Sequence, residues 1–196
     1  MQLPDAAYSL YVQDSLEFDN PYIRLRYEAL NRPAQVRQLT LATGEQKVLK
    51  ETPVLGVFNA DDYVSQRLWA TAPDGTQVPI SLVVKRDALG QPTPLYLYGY
   101  GAYGESLDPW FSHARLSLLD RGVAFAIAHV RGGGELGEAW YRAGTLLQSP
   151  GDWAATTGRP APAVPLRSAP FPRWSCARLK SPAARTAALT PISTPC

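Results

Sequence analysis

The sequence predicts an antiparallel sheet of short strands, then an α/β sheet, then a C-terminal tail that forms neither. Three observations predict this. Residues 8–50 hold short alternating segments about ten residues apart. Residues 95–147 alternate strand, glycine loop and helix, and the composition changes abruptly at Gln148.

The first sheet is read from Tyr8-Ser-Leu-Tyr-Val12 and Tyr22-Ile-Arg-Leu-Arg-Tyr27, both of which alternate. Val36-Arg-Gln-Leu-Thr-Leu41 follows, then the turn Ala42-Thr-Gly-Glu45 and the segment Gln46-Lys-Val-Leu-Lys50. Strands at this spacing with Asn/Asp/Gly turns suggest one blade of a propeller. No repeat of the unit occurs in the chain, and a single blade leaves its faces and edges uncovered.

After Asn59-Ala-Asp-Asp62 the strands lengthen. Tyr63–Ala72 and Val78–Lys85 flank Pro73-Asp74-Gly75, a good hairpin connection. Leu95-Tyr-Leu-Tyr98 runs into the glycine loop Gly99-Tyr-Gly-Ala-Tyr-Gly104. Phe111–Arg121 carries apolar residues at helical spacing and stops at Gly122. Val123-Ala-Phe-Ala-Ile-Ala128 is continuously apolar, the mark of a strand covered on both faces. It leads into His129-Val-Arg-Gly-Gly-Gly134, and Glu138–Leu147 is read as a further helix. In such sheets the functional loops lie at the strand ends.

The tail differs in kind. Residues 1–148 hold 13 basic and 16 acidic residues, whereas residues 149–196 hold 6 basic residues against Asp152 alone. The same 48 residues carry 9 of the 18 prolines and both cysteines. Prolines at that density interrupt helices and ladders alike, so disorder is expected. The plain reading is a Pro/Ala/Arg linker or extension. The sharper one is a shift of reading frame near Gln148, since GC-rich DNA yields these residues in a wrong frame.

The whole chain of 196 residues has a charge of +2 and 18% charged residues, which argues against a basic nucleic-acid binder. No apolar run approaches the ~18 residues of a membrane span, and Met1 opens no signal segment, so no membrane partner is expected. Two cysteines suit a reducing compartment, with cytoplasm the default.

Single motifs exclude as much as they suggest. A dinucleotide fingerprint can be forced onto Gly99, Gly101 and Gly104, but the expected acidic partner is missing, and no P-loop follows Gly132-Gly-Gly134. Tight turns and close backbone approach explain these glycines better. His113 and His129 lack zinc spacing, so neither metal nor cofactor is implied. His113 is expected on an exposed helix face and His129 as a satisfied structural histidine. No G-x-S-x-G nucleophile elbow occurs. Tyr98, Tyr100 and Tyr103 crowd one loop, either as packing at a domain interface or with a phenol donating to a developing oxyanion.

Taken together, several segments resemble the prolyl oligopeptidase family of serine peptidases, and within it the oligopeptidase B (protease II) branch. They are Lys50-Glu-Thr-Pro-Val54, Tyr63-Val-Ser-Gln-Arg-Leu-Trp69, Asp74-Gly-Thr-Gln-Val-Pro-Ile-Ser81, Leu97-Tyr-Gly-Tyr-Gly-Ala-Tyr-Gly104, Arg115-Leu-Ser-Leu-Leu-Asp-Arg-Gly122 and His129-Val-Arg-Gly-Gly-Gly-Glu-Leu-Gly137. They run in family order across about residues 8–148. The resemblance implies the last propeller blade over residues 1–58, the opening of an α/β-hydrolase domain over 59–148, and a disordered, frame-shifted tail over 149–196. It implies hydrolysis of peptides after Arg or Lys, and peptides as partners. It further implies that Tyr100 helps form the oxyanion hole and that Tyr103 is an aromatic lining the substrate cleft. Asp108 matches an acidic position that attracts a basic side chain, and Trp110 stands where the branch usually has a second carboxylate.

The family's Ser, Asp and His all come later than the point where the resemblance stops. Three readings follow: an inactive piece of such a peptidase, a mis-read frame whose true product is a whole enzyme, or a non-catalytic module that binds peptides or packs at a domain interface. The abrupt break favours a frame shift over a linker.

Overall fold

The computed structural model describes residues 3–145, with Asp152, Thr156 and the backbone of Cys176–Leu179 and Thr190–Pro191. Four strands form one antiparallel sheet in chain order: β1 (Tyr8–Val12), β2 (Tyr22–Ala29), β3 (Arg32–Thr40) and β4 (Gln46–Glu51). The alternation read along β2 is real, since Leu25 and Tyr27 are buried while Arg24 and Arg26 point outward. Asp5 ties down the turn between β2 and β3, accepting from Tyr27 Oη at 2.5 Å, Asn31 Nδ2 at 2.9 Å and Arg32 Nε at 3.0 Å. Leu16, Phe18, Leu55 and Val57 stand fully in solvent.

The second sheet is mixed. A hairpin of β5 (Tyr63–Thr71) and β6 (Gln77–Lys85) turns at Pro73–Gly75, as expected. β7 (Thr93–Gly99) and β8 (Ala124–Ala128) lie parallel, connected through α1 (His113–Leu119), and β8 also pairs antiparallel with β6. Every residue of β8 is buried, which accounts for its unbroken apolar run. Burying one side chain such as Ile127 contributes about 2 kcal/mol. Phe125 and Ile127 pack with Leu119 of α1 on one face, and Leu30 of the first sheet joins that cluster. On the other face Ala128 and Val130 pack with Trp140 of α2 (Glu138–Ala143).

The register positions the loops. Gly99 pairs with Ala128, so β7 and β8 end level and their glycine loops leave the same edge. Ile80 also pairs with Ala128, which brings the β5–β6 turn to that edge too.

The tail departs from expectation where it is described. Asp152 and Thr156 are helical and fully buried. β9 (Cys176–Leu179) pairs antiparallel with β7, and β10 (Thr190–Pro191) pairs with β9, so these residues are not the unordered chain that composition predicts. An open β7 edge offers unpaired N–H and C=O groups to any backbone, whatever its side-chain pattern. The rest of the expected disorder lies outside the described residues. Among the described residues no helix is long and apolar enough to cross a membrane.

Candidate active site

The site is built from two interlocked glycine loops. A Cβ on Gly101 would lie 2.4 Å from Val130 Cγ2 and 2.6 Å from the Arg131 carbonyl oxygen. A Cβ on Gly132 would lie 2.2 Å from the Gly101 oxygen, at a φ of +97°. Only glycine permits so close an approach. The Gly104 amide then donates to the Gly132 carbonyl at 3.0 Å, and the Gly134 amide to that of Glu105 at 3.3 Å. Close backbone contact is thus what these glycines do.

Tyr100 follows β7 directly and is 39% exposed. Tyr103 projects into solvent with a φ of +59°, the only non-glycine residue among those described in the left-handed region. Such a conformation is costly for a bulky side chain and is a feature of functional loops. Asp108, on the same excursion between β7 and α1, is exposed and accepts a hydrogen bond from the Tyr11 hydroxyl of β1. That bond, with burial second, raises the phenol of Tyr11 above its ordinary pKa. Trp110 packs edge-on to Tyr98, with ring centroids 6.4 Å apart. Tyr100, Tyr103 and Asp108 therefore share one solvent-facing excursion of the chain.

Arg131 holds this edge together. Its Nη1 donates to Asp74 Oδ2 at 2.6 Å, and its Nη2 and Nε donate to Asp152 Oδ1 at 2.6 and 2.9 Å. The Arg131 amide adds a bond of 2.7 Å to Asp152 Oδ2. One side chain thereby joins the hairpin turn, the second glycine loop and the start of the tail. The Thr76 amide, and then Arg131, hold the Asp74 carboxyl down at about 2.

A second network has the order of a catalytic triad. Ser81 Oγ lies 2.7 Å from His129 Nε2, and His129 Nδ1 lies 3.4 Å from Glu135 Oε1. With a carboxylate facing Nδ1, the partners assign the proton to that nitrogen and leave Nε2 to accept from Ser81. Burial pushes the Glu135 carboxyl upward, but bonds from His129 and the Leu107 amide outweigh it and leave it lowered. Ser81 has no exposed surface and sits inside the regular β6 ladder between β5 and β8. No substrate reaches it, and a nucleophile needs both access and an oxyanion site. His129 is the satisfied structural histidine expected, and His113 is exposed as expected.

Sequence reasoning missed the Arg131–Asp152 pair, the Ser81–His129–Glu135 network and the burial of Arg115. The signal for the first two stood in His129-Val-Arg-Gly-Gly-Gly-Glu135, where the glycines drew attention from the charged residues around them.

Known proteins resemble this chain in sequence and in fold. The model of the prolyl oligopeptidase family matches residues 109–152, four residues past Gln148. Dipeptidyl aminopeptidase BI of Pseudoxanthomonas mexicana is 43% identical over 144 residues, covering 72% of this chain and 20% of that protein. Protease 2 of Moraxella lacunata is 39% identical over 140 residues, covering 71% of this chain and 20% of that protein. Among solved structures, oligopeptidase B from Leishmania major superposes with a TM-score of 0.70 at 38% identity, over 80% of this chain and 23% of that one. The chain thus spans about a fifth of the length of the relatives it matches.

Proposed function

Because the chain belongs to the prolyl oligopeptidase family of serine peptidases, as a fragment of its members' length, we propose that it carries the oxyanion-binding side of a peptidase centre without the nucleophile. In this reading residues 1–58 are the last blade of a propeller and residues 59–148 open an α/β-hydrolase domain. Tyr100 donates its hydroxyl to the oxyanion, Tyr103 lines the cleft, and Asp108 draws a basic side chain of a peptide cut after Arg or Lys. The observation that carries the reading is the pinned position of Tyr100. It is half-exposed at a strand end, beside a glycine pressed against the neighbouring loop. A tyrosine hydroxyl there can meet a developing negative charge without first losing its proton.

The tail beyond Asp152 is read as out of frame. The family match and the Arg131 contact both extend to Asp152, which supports reading the break after that residue rather than at Gln148. Sequencing of the gene across the codons for residues 146–160 tests this. A missing or extra base there supports the shift, and an intact frame rejects it.

The Tyr100 role is tested in an enzyme completed in the corrected frame. Tyr100→Phe keeps the ring and removes the donor, so kcat should fall about 10²–10³-fold with KM little changed. Tyr103→Phe should be nearly silent, because a cleft aromatic acts through its face. Full kcat in Tyr100→Phe alongside a loss in Tyr103→Phe would move the role to Tyr103.

A further inference from the structure

Arg115, on α1, is buried to 6% exposure, and it joins no ion pair among the described residues. Its hydrogen bond there runs from Nη1 to the Trp110 carbonyl at 2.7 Å. The guanidinium carbon lies 3.9 Å from the Phe125 ring centroid and 5.4 Å from that of Trp110. These rings offset part of the cost of burying a charge but supply no counter-ion. Burial lowers the guanidinium to about 10, against an opposing pull from Glu28, and leaves it cationic at neutral pH. Glu28 is engaged elsewhere, accepting from the Phe111 amide at 2.9 Å and pairing with Arg26 at 3.5 Å.

A cavity of about 290 Å³ opens beside this cation. Tyr96, Tyr98, Trp110 and Phe125 line it together with Ser112, Arg115 and the aliphatic side chains of α1. The Ser112 hydroxyl makes no capping bond to α1. Rings on several sides, a buried cation short of an anion and a hydroxyl donor select a ligand with an apolar plane and a negative end.

We infer that this cavity binds a carboxylate carried next to an aromatic ring, with the guanidinium of Arg115 taking the carboxylate and the aromatic walls taking the ring. The C-terminal residue of a peptide and a free aryl acid share that chemistry. The inference is independent of the role given to Tyr100, because binding is read without turnover.

The test titrates N-acetylphenylalanine, its amide and phenylacetate into the 196-residue chain. The Arg115 Nε–H and the Trp110 indole N–H are followed by nuclear magnetic resonance. Both signals should move with N-acetylphenylalanine, and the amide should bind about tenfold more weakly or worse, because its end is uncharged. Arg115→Met should erase the preference for the acid, and Arg115→Lys should keep part of it. Phenylacetate binding as well as N-acetylphenylalanine identifies a free acid as sufficient, and weaker binding identifies a peptide end. Equal binding of acid and amide, no binding of either, or an acid preference that survives Arg115→Met overturns the inference. Should Arg115→Met fail to fold, the acid and amide compared on the unaltered chain still decide.

Discussion

Arg131 meets the fully buried carboxylate of Asp152 through Nε, Nη2 and its own backbone amide, at 2.6 to 3.0 Å. Geometry of this kind offsets the desolvation of both charges, and losing one partner strands the other. Asp152→Ala should therefore lower unfolding stability by about 3 kcal/mol. Arg131 keeps Asp74, which holds the loss toward the lower end of the range for buried pairs. Urea unfolding of the two proteins measures the difference. A loss near zero would mean that the tail does not hold the second glycine loop.

Acid should weaken the fold at the same edge. Asp74 is held at about 2 by the Thr76 amide and Arg131, and Glu135 is held below the usual carboxylate range despite its burial. Both groups are lowered in the folded state relative to about 4 in an unfolded chain. Their stabilisation is thus complete above about pH 4 and is lost as pH falls toward 2. Urea midpoints at pH 6, 4 and 3 should decline in that order, and Glu135→Gln should flatten the decline. An equal slope in the variant would show that Glu135 does not contribute to the acid sensitivity.

The interlock of the loops can be separated from turn strain. Gly132→Ala places a methyl 2.2 Å from the Gly101 oxygen, whereas Gly75→Ala, at a φ of +84°, meets nothing within 4 Å. Gly75→Ala should cost about 1 kcal/mol of left-handed strain. Gly132→Ala carries that strain and adds an overlap of about 1–3 kcal/mol. Thermal unfolding midpoints should rank wild type, Gly75→Ala, Gly132→Ala. Equal midpoints for the two variants would show that the loops can part without cost.

Periodicity made most of the fold legible. The β5–β6 hairpin, the buried β8 and α1 follow from local pattern, because turn chemistry, apolar continuity and helical spacing are properties of neighbouring residues. The helix read over 138–147 is described only as Glu138–Ala143, where Gly144 fits tightly against Gly132 and Arg131. Of the site, the motif singled out Tyr100, Tyr103 and Asp108, whose roles are proposals, while the positive φ of Tyr103 is a backbone feature that no local pattern announced. The Asp74–Arg131–Asp152 contacts join residues 57 and 21 positions apart, a relation that no local pattern encodes. Nor could spacing say that Ser81, His129 and Glu135 lie in line yet inside the core. β9 and β10 were invisible for another reason, since edge pairing uses backbone groups that every residue carries.

As proposed, this chain has a place for an oxyanion but no serine able to attack. Incubation of the 196-residue chain with an Arg-containing fluorogenic peptide and, separately, a fluorophosphonate probe tests that most directly. The expected result is no turnover above buffer and no labelled serine, Ser81 included. Turnover that the fluorophosphonate abolishes, with the label found on any serine of this chain, would contradict it.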